Sequence, residues 1–86
     1  MEIVIDCSPI HDRKTFHQTL SQVLSFPSWY SNNLDALYDA LSEISATVHL
    51  LHWDQAEAAL GPYGCRARKV LTEAALRNGP LEVIFE

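Results

Sequence analysis

The 86-residue sequence predicts an α/β fold, a three-stranded parallel sheet packed by about four helices. Three observations lead there. Short strand-like runs stand at the start (EIVID, 2–6), in the middle (TVHLLHW, 47–53) and at the end (LEVIFE, 81–86). Two helical segments separate each run from the next. Strands joined through helical crossovers run parallel, with right-handed connections.

Taken in order, residues 2–6 are apolar and β-branched, as a strand requires, and Ser8-Pro9 ends them. Asp12 is placed to cap a helix from about 13 to 25, in which Phe16, Leu20, Val23 and Leu24 recur at helical spacing before Pro27 stops it. Ser28 to Asn33 form a polar and aromatic loop, with Asn33 as N-cap of the second helix. At about 100° per residue, Leu34, Leu37, Leu41 and Ile44 share one arc of that helix. Asp35, Tyr38, Asp39 and Ser42 fall on roughly the opposite side. Thr47 to Trp53 reads as a largely buried strand, with Trp53 in the core, and Asp54 is placed to cap a short helix ending before Gly61-Pro62. A further helix from about 65 to 78 turns Ala67, Val70, Leu71 and Ala74 inward and stops at Gly79. Residues 81–86 are the last strand. The length fits one domain, 1–86, without repeat, linker or low-complexity tract.

Composition and motifs narrow the function classes. No apolar run approaches the ~20 residues of a membrane span. The start of the chain carries acidic residues where a secretory signal is basic, so the sequence reads as a cytoplasmic protein. Cys7 and Cys65 form no CxxC and are expected as reduced, mostly buried thiols. GxSxG, Walker A and HExxH motifs are absent. Asp35 and Asp39, four apart on one helix face, have no neighbour that would make one an acid and the other a base. Among His11, His17, His49 and His52, only the last two are close in sequence. Three apart in a strand, they point to opposite faces, and none of the four has metal-ligand spacing. The expectation is a non-enzyme with no metal and no cofactor.

Charge is the more informative property. The net charge is −5, and no Lys or Arg occurs from Thr15 to Cys65, where Asp35, Asp39, Glu43, Asp54 and Glu57 contribute five negatives. The six acids and six bases elsewhere cancel. Such a span repels a phosphate backbone and attracts a basic partner, which disfavours direct nucleic-acid binding. A surface helix ordinarily mixes both signs three or four apart, and the helix after Asn33 carries no base. Charge pattern alone leaves two accounts level, a solvated acidic face and a binding face, and Asp35 also suits the dipole of a first helical turn. Of Trp29 and Tyr30, one is expected to plug the end of the core. The other, exposed beside the acidic helix, suits an interaction hot spot.

The run WYSNNLDALYDAL, Trp29 to Leu41, resembles the most diagnostic segment of the barstar family, intracellular protein inhibitors of barnase-type ribonucleases. The family pattern there is aromatic-Tyr-Gly-x-Asn-Leu-Asp-Ala-Leu-Trp-Asp. FHQTL (16–20) and Phe26-Pro27 before it, and Trp53, Glu73 and Gly79 after it, extend the likeness over nearly the whole chain. The resemblance implies the same three-stranded, four-helix architecture and a partner-binding site. By position, Asp39 matches the carboxylate that occupies the phosphate position in the ribonuclease active site. Asp35 and Glu73 match acidic contacts to the enzyme's Arg and Lys residues. Trp29 matches an aromatic that packs against the catalytic histidine, and Asn33 and Ser42 match polar contacts. Two positions depart from the pattern. Ser31 stands for Gly, which would alter the loop that aims Trp29 if a positive φ is needed there. Tyr38 stands for Trp and keeps an aromatic of smaller area. The implied partner is a basic extracellular or toxin-type ribonuclease, met by a monomeric immunity protein. The alternative is a barstar-like interaction or regulatory module with a basic partner that is not a ribonuclease.

Overall fold

Strands β1 (Glu2–Asp6), β2 (Ala46–Leu51) and β3 (Leu81–Phe85) pair in parallel, in the order β1-β2-β3. Two helices lie between each pair of strands: α1 (Arg13–Val23) and α2 (Leu34–Leu41), then α3 (Trp53–Leu60) and α4 (Pro62–Arg77). This computed structural model describes all of residues 1–86, and it has the predicted architecture. No helix is long and apolar enough to cross a membrane.

The register pairs Ile5 with Leu50 and Val48 with Val83. Side chains alternate across a strand, so Ile5, Val48, Leu50 and Leu81 all turn to one face. There they meet Phe16 and Leu20 of α1, Leu37 and Leu41 of α2, Trp53 and Ala56 of α3, and Ala67, Leu71 and Ala74 of α4. The other face is left uncovered, with Val4 59% exposed.

The predicted N-caps of the first two helices hold. Asp12 accepts from the Thr15 amide at 2.8 Å in a complete capping box, and Asn33 accepts from the Ala36 amide at 2.7 Å. Boundaries elsewhere shift, each for a local reason. α1 ends at Val23, because Leu24 is its C-cap and Ser25 turns the chain at φ 54. Leu24 thereby takes the core position, and Val23, expected inward, is exposed. β2 stops at Leu51, not at Trp53. His52 adopts φ 61, which reverses the chain and makes Trp53 the first residue of α3, though buried as expected. His52 also takes the cap position expected for Asp54, with no side-chain cap bond, and Asp54 sits in the first turn.

α4 starts at Pro62, not near 65. Gly61 at φ 64 serves as C-cap of α3 and N-cap of α4, and Pro62 opens the new helix where a missing N–H costs nothing. A Cβ at Gly64 would lie 2.6 Å from the Glu57 carbonyl oxygen, so only glycine lets α4 approach α3 this closely. Gly79 does not end α4 with a left-handed residue. Asn78 is the cap, and its Nδ2 donates to the carbonyls of Leu41 (3.0 Å) and Ile44 (2.8 Å). Both cysteines are free, and Cys65 is exposed instead of buried. Burial pushes the Cys7 thiol up to about 11, with the Asp6 charge adding to it.

Candidate functional site

Eight residues of α2, LDALYDAL, display the acidic face. Ala36, Leu37, Ala40 and Leu41 are buried, which turns Asp35, Asp39 and the C-cap Ser42 outward. Leu34 is half-buried, and Ile44 lies beyond the helix end, so the buried stripe is centred on Leu37 and Leu41. Tyr38 is at the boundary. It packs partly against the core, about a quarter-turn from Leu37, and is less a member of the acidic side than its spacing suggested.

The helix is held at both ends. Asn33 caps its start, while the two Asn78 bonds fasten its last residue, Leu41, and the turn after it at Ile44 to the end of α4. Ser42 donates its hydroxyl to the Asp39 carbonyl at 2.6 Å. No ion pair in the molecule includes Asp35, Asp39 or Glu43. Glu73 stands exposed on α4, the helix packed against α2, and makes a loose contact of 3.9 Å with Arg77 one turn on.

Trp29 and Tyr30 divide as expected. Trp29 is 52% exposed on the loop that leads into α2. Tyr30 is the plug, packed at a tilt of 45° against Phe26 with 4.7 Å between ring centres. The loop makes its left-handed turn at Asn32 (φ 55), not at Ser31, and Asn tolerates that conformation better than most residues. Ser31 is therefore unstrained. It donates its hydroxyl to the Trp29 carbonyl at 3.2 Å, so the expected disturbance by a non-glycine residue does not arise.

Sequence reading missed what anchors this loop. His17 is 1% exposed, with Nδ1 2.5 Å from the Tyr30 hydroxyl and Nε2 2.7 Å from the Tyr63 hydroxyl. The trio joins α1, the Trp29 loop and α4. Burial drives His17 down to about 4, helped by the Arg13 charge, so at neutral pH one tyrosine donates to the ring and the other accepts from it. Burial likewise raises the Tyr30 hydroxyl above its ordinary value. A signal was present: His17, Leu20 and Leu24 are spaced i, i+3, i+7, which puts His17 on the apolar arc of α1.

The residues that the resemblance singled out thus lie on the Trp29 loop, α2 and the adjoining α4. A family model described as "Barstar (barnase inhibitor)" matches residues 1–86. The chain belongs to the barstar family. A curated relative, "Putative ribonuclease inhibitor YrdF" of Bacillus subtilis (strain 168), is 32% identical over 76 residues, covering 85% of this chain and 84% of that protein. Membership of the barstar family, with this relative, supports a ribonuclease-inhibitor role and points away from enzymatic activity. No His, Cys, Asp or Glu cluster here could hold a metal ion.

Proposed function

We propose that this chain inhibits a basic, barnase-type ribonuclease by placing the outer side of α2 in the enzyme's active site, with Asp39 standing where the RNA phosphate would lie. The observation that carries the reading is a pair of exposed carboxylates, Asp35 and Asp39, without cation partners on a helix fixed at both ends. An enzyme that cleaves RNA gathers cationic groups around the scissile phosphate, and a rigid carboxylate satisfies them with charge-assisted hydrogen bonds.

Asp39 lies more than a turn into α2, and Leu37 and Leu41 behind it fix its backbone against the core. Asp35 and Glu73 supply further negative contacts to the enzyme's Arg and Lys. Trp29 is the aromatic anchor, Tyr38 adds apolar area at the edge, and Asn33 and Ser42 offer polar contacts. Asn33 does so with its side-chain oxygen already accepting from Ala36, which leaves its amide group free to donate. The inhibitor acts as a monomer inside the cell that makes or meets the ribonuclease, as an immunity protein does.

The test is inhibition of a barnase-type ribonuclease by the unmodified chain and by single variants. Asp39→Ala buries the enzyme's cations without a counter-charge and is expected to cost at least ~2–5 kcal/mol of binding. Asp39→Asn keeps the shape, loses the charge and binds poorly as well. Asp35→Ala and Glu73→Ala lose less. Association slows steeply with added salt, because opposite potentials steer the encounter. Asp39→Ala inhibiting as well as the unmodified chain would end the phosphate-mimic mechanism. Failure of the unmodified chain on every basic ribonuclease tried would favour an interaction module for another basic partner.

A further inference from the structure

The uncovered face of the sheet carries a polar cluster that the inhibitor reading does not use. Parallel sheets are usually covered on both sides, and this one is covered on one. At the centre of the open side is His49 of the middle strand. Its Nδ1 is 2.5 Å from Glu86 Oε2, and its Nε2 is 2.7 Å from Glu2 Oε1.

Donor and acceptor counting fixes the state of that ring. A neutral imidazole has one N–H and one lone pair, and an ionised carboxylate only accepts. Carboxylates on both nitrogens therefore need both nitrogens protonated. We propose that His49 is a pH-operated clasp, an imidazolium that ties both edge strands of the sheet to the central one and lets one of them go when it loses its proton.

The register shows what the clasp restrains. His49 pairs with Val4 on β1 and with Ile84 on the other side, whereas the carboxylates it binds are each two residues away, Glu2 toward the start of β1 and Glu86 just past the end of β3. The bridge thus runs diagonally over the open face, in opposite senses on its two sides. A strand sliding along its neighbour in either direction stretches one arm or the other. β1 and β3 each have a single strand neighbour, so a brace of this kind adds to what their backbone ladders supply.

The charged groups facing His49 all favour its cation. From β1 come Glu2 and Asp6, and from the β3 side Glu82 and Glu86. Asp6 is engaged with the Ser8 amide at 3.0 Å, and Glu82 faces the Thr47 hydroxyl at 3.4 Å. No Lys or Arg forms an ion pair on this side. The hydrogen bonds from Glu86 and then Glu2 raise the His49 pKa from the ordinary 6.5, against a smaller effect of burial. The carboxylates approach opposite ring nitrogens and converge on no common point, so the trio is a clasp and not a metal site.

Nitrogen-detected NMR of the ring, together with unfolding midpoints across pH, tests the proposal. At about pH 6 both ring nitrogens of His49 are expected to carry protons, and its titration should lie above the ordinary imidazole value. Glu2→Gln and Glu86→Gln, both exposed changes, should each move it back toward that value. The stability difference between the unmodified chain and His49→Gln should shrink as pH rises through the His49 titration and level off above it, where the neutral ring keeps one arm only. A neutral His49 tautomer at about pH 6, or Gln variants that leave its titration unmoved, would overturn the clasp. So would a His49→Gln difference constant across pH.

Discussion

Two histidines of this chain make nearly the same pair of contacts and are opposite in effect. His17 has oxygens at 2.5 and 2.7 Å from its two ring nitrogens, and so does His49. Around His17 the oxygens are tyrosine hydroxyls in a closed core. Around His49 they are carboxylates on an open sheet face. A hydroxyl can give or take a proton, so the first site accepts a neutral ring, and burial then makes the charged form costly. Carboxylates at both nitrogens demand the charged ring. Distance alone says nothing about protonation; the partner's charge and the surrounding solvent decide it.

The largest expected effect tests the buried half of the comparison. A histidine held at about 4 in the fold and at 6.5 when unfolded makes the unfolded chain the better proton acceptor between those values. Its contribution is complete above pH 6.5 and is lost as pH falls toward 4, a loss of up to roughly 3 kcal/mol. Asp6 and Asp12, held below the ordinary 3.8 by hydrogen bonds from Ser8 and Thr15, act in the same direction at lower pH. Denaturant unfolding at a series of pH values separates the two windows. A stability flat between pH 6.5 and 4 would show that His17 is not buried as described.

A smaller effect is expected from removing the ring's hydrogen bonds at neutral pH. His17→Phe fills the space but leaves the Tyr63 hydroxyl buried without its partner, a cost of roughly 1–3 kcal/mol. The variant should also lose the window between pH 6.5 and 4. Tyr30 is released too, and with it the loop that carries Trp29. Ribonuclease inhibition should therefore weaken more than in a variant of equal stability altered far from the loop. Equal weakening would make His17 a core residue only.

These two sites also mark where the sequence was legible and where it was not. Element order, the sheet and the buried Leu37 and Leu41 follow from periodicity, because repeated spacing is a property of the chain itself. That one of Trp29 and Tyr30 closes the core follows from their place in the loop before α2, but which one does is decided only by the packing of Tyr30 on Phe26. The start of α4 at Pro62 and its cap at Asn78 were not legible, because a Pro can open a helix as well as break one, and because Asn78 acts through carbonyls more than thirty residues away. Nothing near His49 in the sequence marks its role. Its two partners lie at opposite ends of the sequence, and only the parallel register brings them to one ring. The absence of bases around the acidic residues of α2 is a signal that needs no tertiary information, but on its own it leaves a solvated face and a binding face level.

The smallest expected effect tests the exposed half, and salt is the means. The His49 clasp lies at the surface, where exposed ion pairs contribute little and ions screen beyond about 10 Å at 0.1 M. Its stabilisation is present below the ordinary 6.5 and is lost as pH rises through the raised folded value, the reverse of His17. Added salt weakens attraction between an imidazolium and two exposed carboxylates, while hydrogen bonds among His17, Tyr30 and Tyr63 involve no net charge at neutral pH. At pH 6.5 the difference in unfolding midpoint between the unmodified chain and His49→Gln should therefore narrow with added NaCl. The difference between the unmodified chain and His17→Phe should not change. If salt narrows both differences equally, the contrast between a neutral buried ring and a charged exposed one fails. If it narrows neither, the His49 bonds are not charge-assisted, and the open face of the sheet is held by its backbone ladders alone.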